Sequence, residues 1–197
     1  MTLPGRASRR AWIVTAGLAV AAAGCVRAAG SVAEPTAIER QLLGAYQKLD
    51  RELVWVSSVR GPAGAPPELD DLGTRALRMR LLQRFNEDDR EQLADWRCIA
   101  EGRSAEIRAV ACSEVERDDT WRKIRRRVIE EENRARSIII DWAASEAARR
   151  EGRAEADDEL RARMRAAYAE LMRSAAEADH LVETPSGELA PASRWTP

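Results

Sequence analysis

The sequence predicts an all-α fold: a bundle or hairpin of about five helices behind a cleaved signal peptide. Three observations predict it. Apolar residues recur at steps of three and four through most of the chain; Ala, Arg, Glu and Leu dominate while Phe occurs once; and no alternating strand pattern of useful length is present. The expected organisation is a leader over 1–24, a lipidated tether over 25–34, a helical domain over 35–178 and a coil tail over 179–197.

The first helix is expected over Glu34–Arg60. Thr36 and Glu39 stand at capping-box spacing behind Pro35, and Ile38, Leu42, Tyr46, Leu49, Leu53 and Val56 fall on one stripe. Gly61 ends it, and Gly61–Pro67 (GPAGAPP) is a loop by composition. A second helix follows over about 68–85, with Leu72, Ala76, Met79, Leu82 and Phe85 turned inward and Gly73 weakening its first turn by ~1 kcal/mol. Asn86 caps a third, Glu87–Glu101, whose opening acids suit the positive end of its dipole and which Gly102 closes. A short helix is expected over Ser104–Glu114. The longest helical run starts near Asp119 and reaches about Arg150, with Trp121, Ile124, Val128, Ala135, Ile138, Ile139 and Trp142 on its apolar face. Gly152 ends it or is tolerated within it. A last helix, about Ala156–Ala178, buries Leu160, Met164, Tyr168, Leu171 and Ala175. The segment from Asp179 carries Pro185, Gly187, Pro191 and Pro197 and reads as coil.

The leader is the most specific stretch. Residues 1–10 hold three Arg and no acid, and the apolar run Ala11–Ala23 follows. That run is too short to span ~30 Å of hydrocarbon, which takes about 20 residues, and suits a signal-peptide core. It closes in Ala22-Ala23-Gly24-Cys25, which resembles the lipobox of bacterial lipoproteins, where the Cys25 thiol receives diacylglycerol before cleavage. Acyl chains at ~0.8 kcal/mol per buried methylene would hold the protein on a membrane. Val26, rather than Asp, after the cysteine favours the outer membrane over the inner. Ser8-Arg9-Arg10 also resembles a twin-arginine export motif; an ordinary basic leader is the favoured reading.

Charge excludes one class of partner. The chain has 32 Lys+Arg against 33 Asp+Glu, and removal of Arg6, Arg9 and Arg10 with the leader leaves 29 − 33 = −4. Generic nucleic-acid binding needs an uncompensated basic face. The run Arg122–Arg127 is locally basic and could meet anionic headgroups. Glu130, Glu131 and Glu132 follow on the same helix, so a solvated face with intrahelical pairs is the favoured reading.

Catalytic constellations are missing. His180 is the single histidine and falls in expected coil, and no phosphate loop, HExxH or GxSxG pattern occurs. No catalytic residue, cofactor or metal site is expected, since there is no CxxC pair and one His. Cys98 and Cys112 can pair in an oxidising compartment, or stand apart as buried small hydrophobes. Glu132 and Arg136 lie at i, i+4, and with Asn133 they are read as polar groups that fix the fold.

Four stretches carry a family resemblance: Phe85-Asn86-x-Asp88-Asp89; Asp95-Trp96-x-Cys98-Ile99-x-Glu101-Gly102; Glu131-Glu132-Asn133-x-x-Arg136; and Pro185-x-Gly187 with Trp195. Together, over roughly Pro35–Trp195, they resemble the YdbL-like family of small exported bacterial proteins, a domain-of-unknown-function family, in its lipoprotein branch. The resemblance implies a helical exported protein acting with a larger envelope component, in the company of AsmA-like bridge proteins linked to phospholipid movement. The expected function is a non-catalytic helical interaction or accessory module tethered through Cys25. The alternatives are a lipid-binding or phospholipid-transport accessory and a carboxylate-based envelope hydrolase.

Overall fold

A computed structural model describes residues 35–57 and 69–194. The leader, Cys25 and its tether, the Gly61–Pro67 loop, the side chain of Val56 and Trp195 lie outside the described residues. Among the described residues, no helix is long and apolar enough to cross a membrane.

Helices make up most of the fold. They are α1 (Ala37–Ser57), α2 (Asp71–Phe85), α3 (Glu87–Asp95), α4 (Ser113–Glu116), α5 (Asp119–Arg150) and α6 (Asp158–Ala175). Local chemistry sets their starts. Thr36 and Glu39 form the expected capping box, with bonds of 2.6 and 3.2 Å. Asp70, Asp118 and Asp157 cap α2, α5 and α6 by accepting from backbone N–H groups of the first turn. Helix α5, about 48 Å long at 1.5 Å per residue, is the spine of the domain. It ends where Gly152 takes φ +74° and the Arg153 N–H returns to the Ala148 carbonyl.

The all-α expectation needs correction, because four strands form a mixed sheet in the order β2-β1-β3-β4. They are β1 (Ile99–Glu101), β2 (Ile107–Ala109), β3 (Leu181–Glu183) and β4 (Leu189–Pro191). Helix α3 stops at Asp95, well before Glu101, because Arg97 adopts φ +57° and the Cys98 N–H reaches back to the Leu93 carbonyl. The expected helix Ser104–Glu114 is instead β2 followed by the single turn α4. The expected coil tail is a hairpin of β3 and β4, and then a short 3₁₀ turn, Ala192–Arg194. Strand β3 pairs parallel with β1 (Ala100 opposite Leu181), so the C-terminal segment belongs to the domain. Helix α6 ends at Ala175, earlier than expected.

Two further expectations fail. Asn86 makes no side-chain cap on α3; its Nδ2 donates to Glu131 on α5 at 2.7 Å. Phe85 was expected inward and is 74% exposed.

The core has two parts. One packs α1, α2 and α6 on the second half of α5, around Leu42, Leu49, Trp142 and Met164. The other packs α3, α4, β1 and β2 on its first half, around Leu93, Ile107, Val115 and Val128. Trp96 and Trp121 meet edge to face there, with ring centroids 4.6 Å apart. A disulfide joins Cys98 and Cys112, whose Cα atoms are 5.2 Å apart, across the base of the β1–β2 hairpin. Pro35–Pro197 is compact in itself, and every buried apolar side chain among the described residues falls between Leu42 and Val182.

Gly102 closes that hairpin instead of a helix. Its N–H donates to the Glu106 carbonyl at 2.8 Å, and a Cβ at this position would lie 2.6 Å from the same oxygen. Gly102→Ala must therefore push the turn open. The expected loss is about 1–3 kcal/mol, read as a lower urea midpoint at unchanged slope.

Candidate functional site

A cleft of about 400 Å³ opens between α1, α6 and the α2–α3 corner. That volume lies within the range of small-molecule sites. Leu42 and Leu43 of α1 and Leu171 and Met172 of α6 line the apolar side, and the floor is polar.

Arg136 is the centre of the floor and only 1% exposed. Its Nη1 and Nη2 donate to the two Glu101 carboxylate oxygens at 2.6 and 2.9 Å, and its Nε donates to Glu132 at 2.8 Å. Gln83 donates to the same Glu132 oxygen at 3.0 Å. The expected i, i+4 pair of Glu132 and Arg136 is therefore present, but it is buried and shares its arginine with a carboxylate from β1. This forked geometry is the strong form of an arginine–carboxylate contact.

Rings link this cluster to a second ion pair. The Arg136 guanidinium lies 5.4 Å from the Tyr168 ring centroid, Tyr168 stacks on Tyr46 at 5.7 Å, and Arg80 covers Tyr46 at 5.2 Å. Arg80 is itself forked onto Asp50 at 2.8 and 3.1 Å. The result is a cation–ring–ring–cation stack with each cation also held by a carboxylate. The Tyr46 hydroxyl is buried with no hydrogen-bond partner among the described residues.

Electrostatics keep Glu101 and Arg136 charged and the two phenols neutral. Burial alone would raise the Glu101 pKa, but the Arg136 charge and hydrogen bonds, helped by Arg90 and Arg173, outweigh it and hold the carboxyl below its ordinary value. Burial alone would lower that of Arg136. Attraction to Glu101 leads the opposing effects that carry it well above the ordinary arginine value. Burial first, and proximity to Tyr168 second, raise the Tyr46 phenol well above its usual range. Burial also raises that of Tyr168, against the pull of Arg136. Glu101 thus remains a carboxylate at neutral pH and cannot supply the proton that a general acid must give.

Because the folded Glu101 pKa is depressed, its contribution to stability is fully present above the unfolded value of about 4.3. It is lost as pH falls through the lower folded value. Stability should be level in this respect above about pH 5 and decline in acid. Glu101→Gln should flatten that acid limb in urea unfolding series.

Asn133 bonds the backbone of β2. Its Oδ1 accepts from the Ile107 N–H at 2.8 Å and its Nδ2 donates to the Ile107 carbonyl at 3.0 Å. The amide imitates a neighbouring strand and closes the free edge of β2 onto α5. His180 falls in the irregular segment between α6 and β3, as expected. It stands directly before β3, partly covered at the cleft mouth, with Nε2 2.9 Å from an Asp95 oxygen. Asp95, Glu177 and His180 bring one ligand atom each within 4.8 Å of one another, one of two such groups among the described residues; the other, Cys98, Cys112 and Glu114, has its thiols joined in the disulfide. Of the basic run, Arg122 pairs with Asp119, Arg125 with Glu116, and Arg127 with Asp89 and Glu131. The pairs to Asp119 and Glu131 are the expected intrahelical kind, whereas Glu116 and Asp89 come from α4 and α3.

Sequence reasoning paired Glu132 with Arg136 but missed Glu101, Gln83, Tyr46 and Tyr168 as members of that cluster, and Asn133, read together with the pair, bonds β2 instead. The i, i+4 spacing was a local signal; the others converge from α1, α2, β1 and α6. Compared with known families, curated proteins and solved structures, the chain matches no family model, no curated protein and no solved structure.

Proposed function

We propose that this chain is an exported envelope lipoprotein, anchored through Cys25, whose helical domain binds a partner or ligand and does not catalyse. The observation that carries this reading is the state of the cleft floor. Its buried carboxylates and cations are committed to one another beneath an apolar-sided cleft, a packed floor that supports binding. The Cys98–Cys112 disulfide suits the oxidising compartment to which the leader points. Val26 favours the outer membrane, and the YdbL-like resemblance favours work beside a larger envelope protein.

The apolar side of the cleft favours a lipid-binding accessory as the specific form of this role. Native mass spectrometry of the protein, gently extracted from membranes, tests it. The expected result is a species heavier than the acylated chain by one small amphiphile, lost in Leu43→Glu, which charges the cleft at an exposed position. A bare acylated chain, with no partner captured by crosslinking in cells, contradicts the reading.

A further inference from the structure

Three side chains that can ligate a metal meet where α3 and α6 end beside β3. Asp95 is the last residue of α3, Glu177 stands just past the end of α6, and His180 immediately precedes β3. One ligand atom of each lies within 4.8 Å of the other two, and the His180 Nε2 is 2.9 Å from the Asp95 carboxylate. The backbone fixes His180 from both sides. Its N–H donates to the Glu177 carbonyl at 3.0 Å, and its own carbonyl accepts from the Ala192 N–H at 2.8 Å. The His180 side chain is largely covered, whereas both carboxylates face solvent, where an ion can reach them.

A histidine–aspartate hydrogen bond accounts for two of these groups and leaves Glu177 unexplained. Among the described residues, Asp95 has no ion-pair partner but His180, and Glu177 has none. The basic residues near them in sequence are engaged elsewhere: Arg97 donates to the Asp179 carbonyl at 3.1 Å, and Arg173 to Glu170 at 2.7 Å. The helix dipoles add to the imbalance. Both carboxylates stand at C-terminal ends, of α3 and of α6, where the outward carbonyls favour cations and disfavour anions. Two carboxylates and two negative helix ends therefore surround one imidazole. A divalent cation supplies the missing charge. One imidazole nitrogen with two carboxylate oxygens is a donor set that suits Zn²⁺, with a fourth position left open.

We propose that Asp95, Glu177 and His180 form a divalent-cation site for Zn²⁺. Glu177 and His180 also line the cleft, so the ion sits at its mouth. Counting Cys and His in the sequence points away from a metal, because one histidine alone makes no site; the fold supplies the two carboxylates. The proposal goes beyond the binding role given above and depends neither on that role nor on the Cys25 anchor.

The test uses the full chain, untagged and carrying Cys25→Ala so that no free thiol competes. The protein is stripped with EDTA, dialysed and titrated with Zn²⁺ by calorimetry. The expected result is one ion per chain, bound in the micromolar range or tighter. His180→Ala, Asp95→Asn and Glu177→Gln should each weaken it about tenfold or more, at least what loss of an outer partner costs at a metal site. Glu177 is exposed, so its variant should keep the wild-type circular dichroism and urea midpoint. His180 is the single histidine of the chain, so its imidazole resonances should shift as Zn²⁺ is added. No binding up to millimolar Zn²⁺ overturns the proposal. So do equal affinities in all four proteins, or binding that leaves the imidazole resonances unmoved. Binding lost only in Cys98→Ala/Cys112→Ala also overturns it, by assigning the ion to the group at the disulfide.

Discussion

Arg136→Ala is expected to destabilise the domain by about 3–5 kcal/mol, the range for breaking one partner out of a buried ion pair. The side chain is nearly inaccessible, and Glu101 and Glu132 retain 12% and 5% side-chain exposure. Its removal leaves two carboxylates without their shared cation, strands the face of Tyr168 and opens a void under the cleft. Desolvation dominates the cost, because neither carboxylate gains water in exchange. Much of the loss should return in Arg136→Met combined with Glu101→Gln and Glu132→Gln, which removes the charges together. Urea unfolding of the three proteins measures this. If Arg136→Ala costs under about 1 kcal/mol, as at an exposed pair, the cluster is not the buried clamp described here.

The second large effect belongs to the disulfide. Cys98 and Cys112 are 14 residues apart, and closing a loop of this size is worth about 3 kcal/mol through the entropy of the unfolded chain. Cys98→Ala/Cys112→Ala should lose about that much, and reductant should lower the wild-type midpoint similarly while leaving the double variant unmoved. The first strand pair would loosen before the helices do. The bridge spans the base of the β1–β2 hairpin, and β1 in turn holds both β3 and the Glu101 side of the clamp. A wild-type midpoint insensitive to reductant would show that the bridge contributes nothing.

The sequence made the long helices readable because each buries a stripe. Leu42 and Leu49 of α1, Val128, Ile139 and Trp142 of α5, and Leu160, Met164 and Tyr168 of α6 are buried on the faces expected. On α2 the expected inner face holds at Ala76, which is buried, and at Leu72 and Met79, which pack against the core; it fails at Phe85, which faces out, and it does not mark Gly73 and Gln83, which pack inward. The strands were invisible for another reason. Each has three residues, too few to show alternation, and the β1–β3 pairing joins segments about eighty residues apart. The end of α3 was hidden because Arg97, with no glycine to mark it, takes the left-handed turn. At the site, Glu132 and Arg136 share one helix face and could be paired by eye. Glu101 could not, because only the fold brings β1 over α5.

The central claim is that the domain is tethered to a membrane through Cys25. The intact mass of the protein recovered from the membrane fraction, compared with Cys25→Ala, tests it most directly. The account predicts a mature chain that begins at residue 25 and carries two or three acyl chains, both lost in the variant. A free, unacylated N-terminus on the wild-type protein would contradict it.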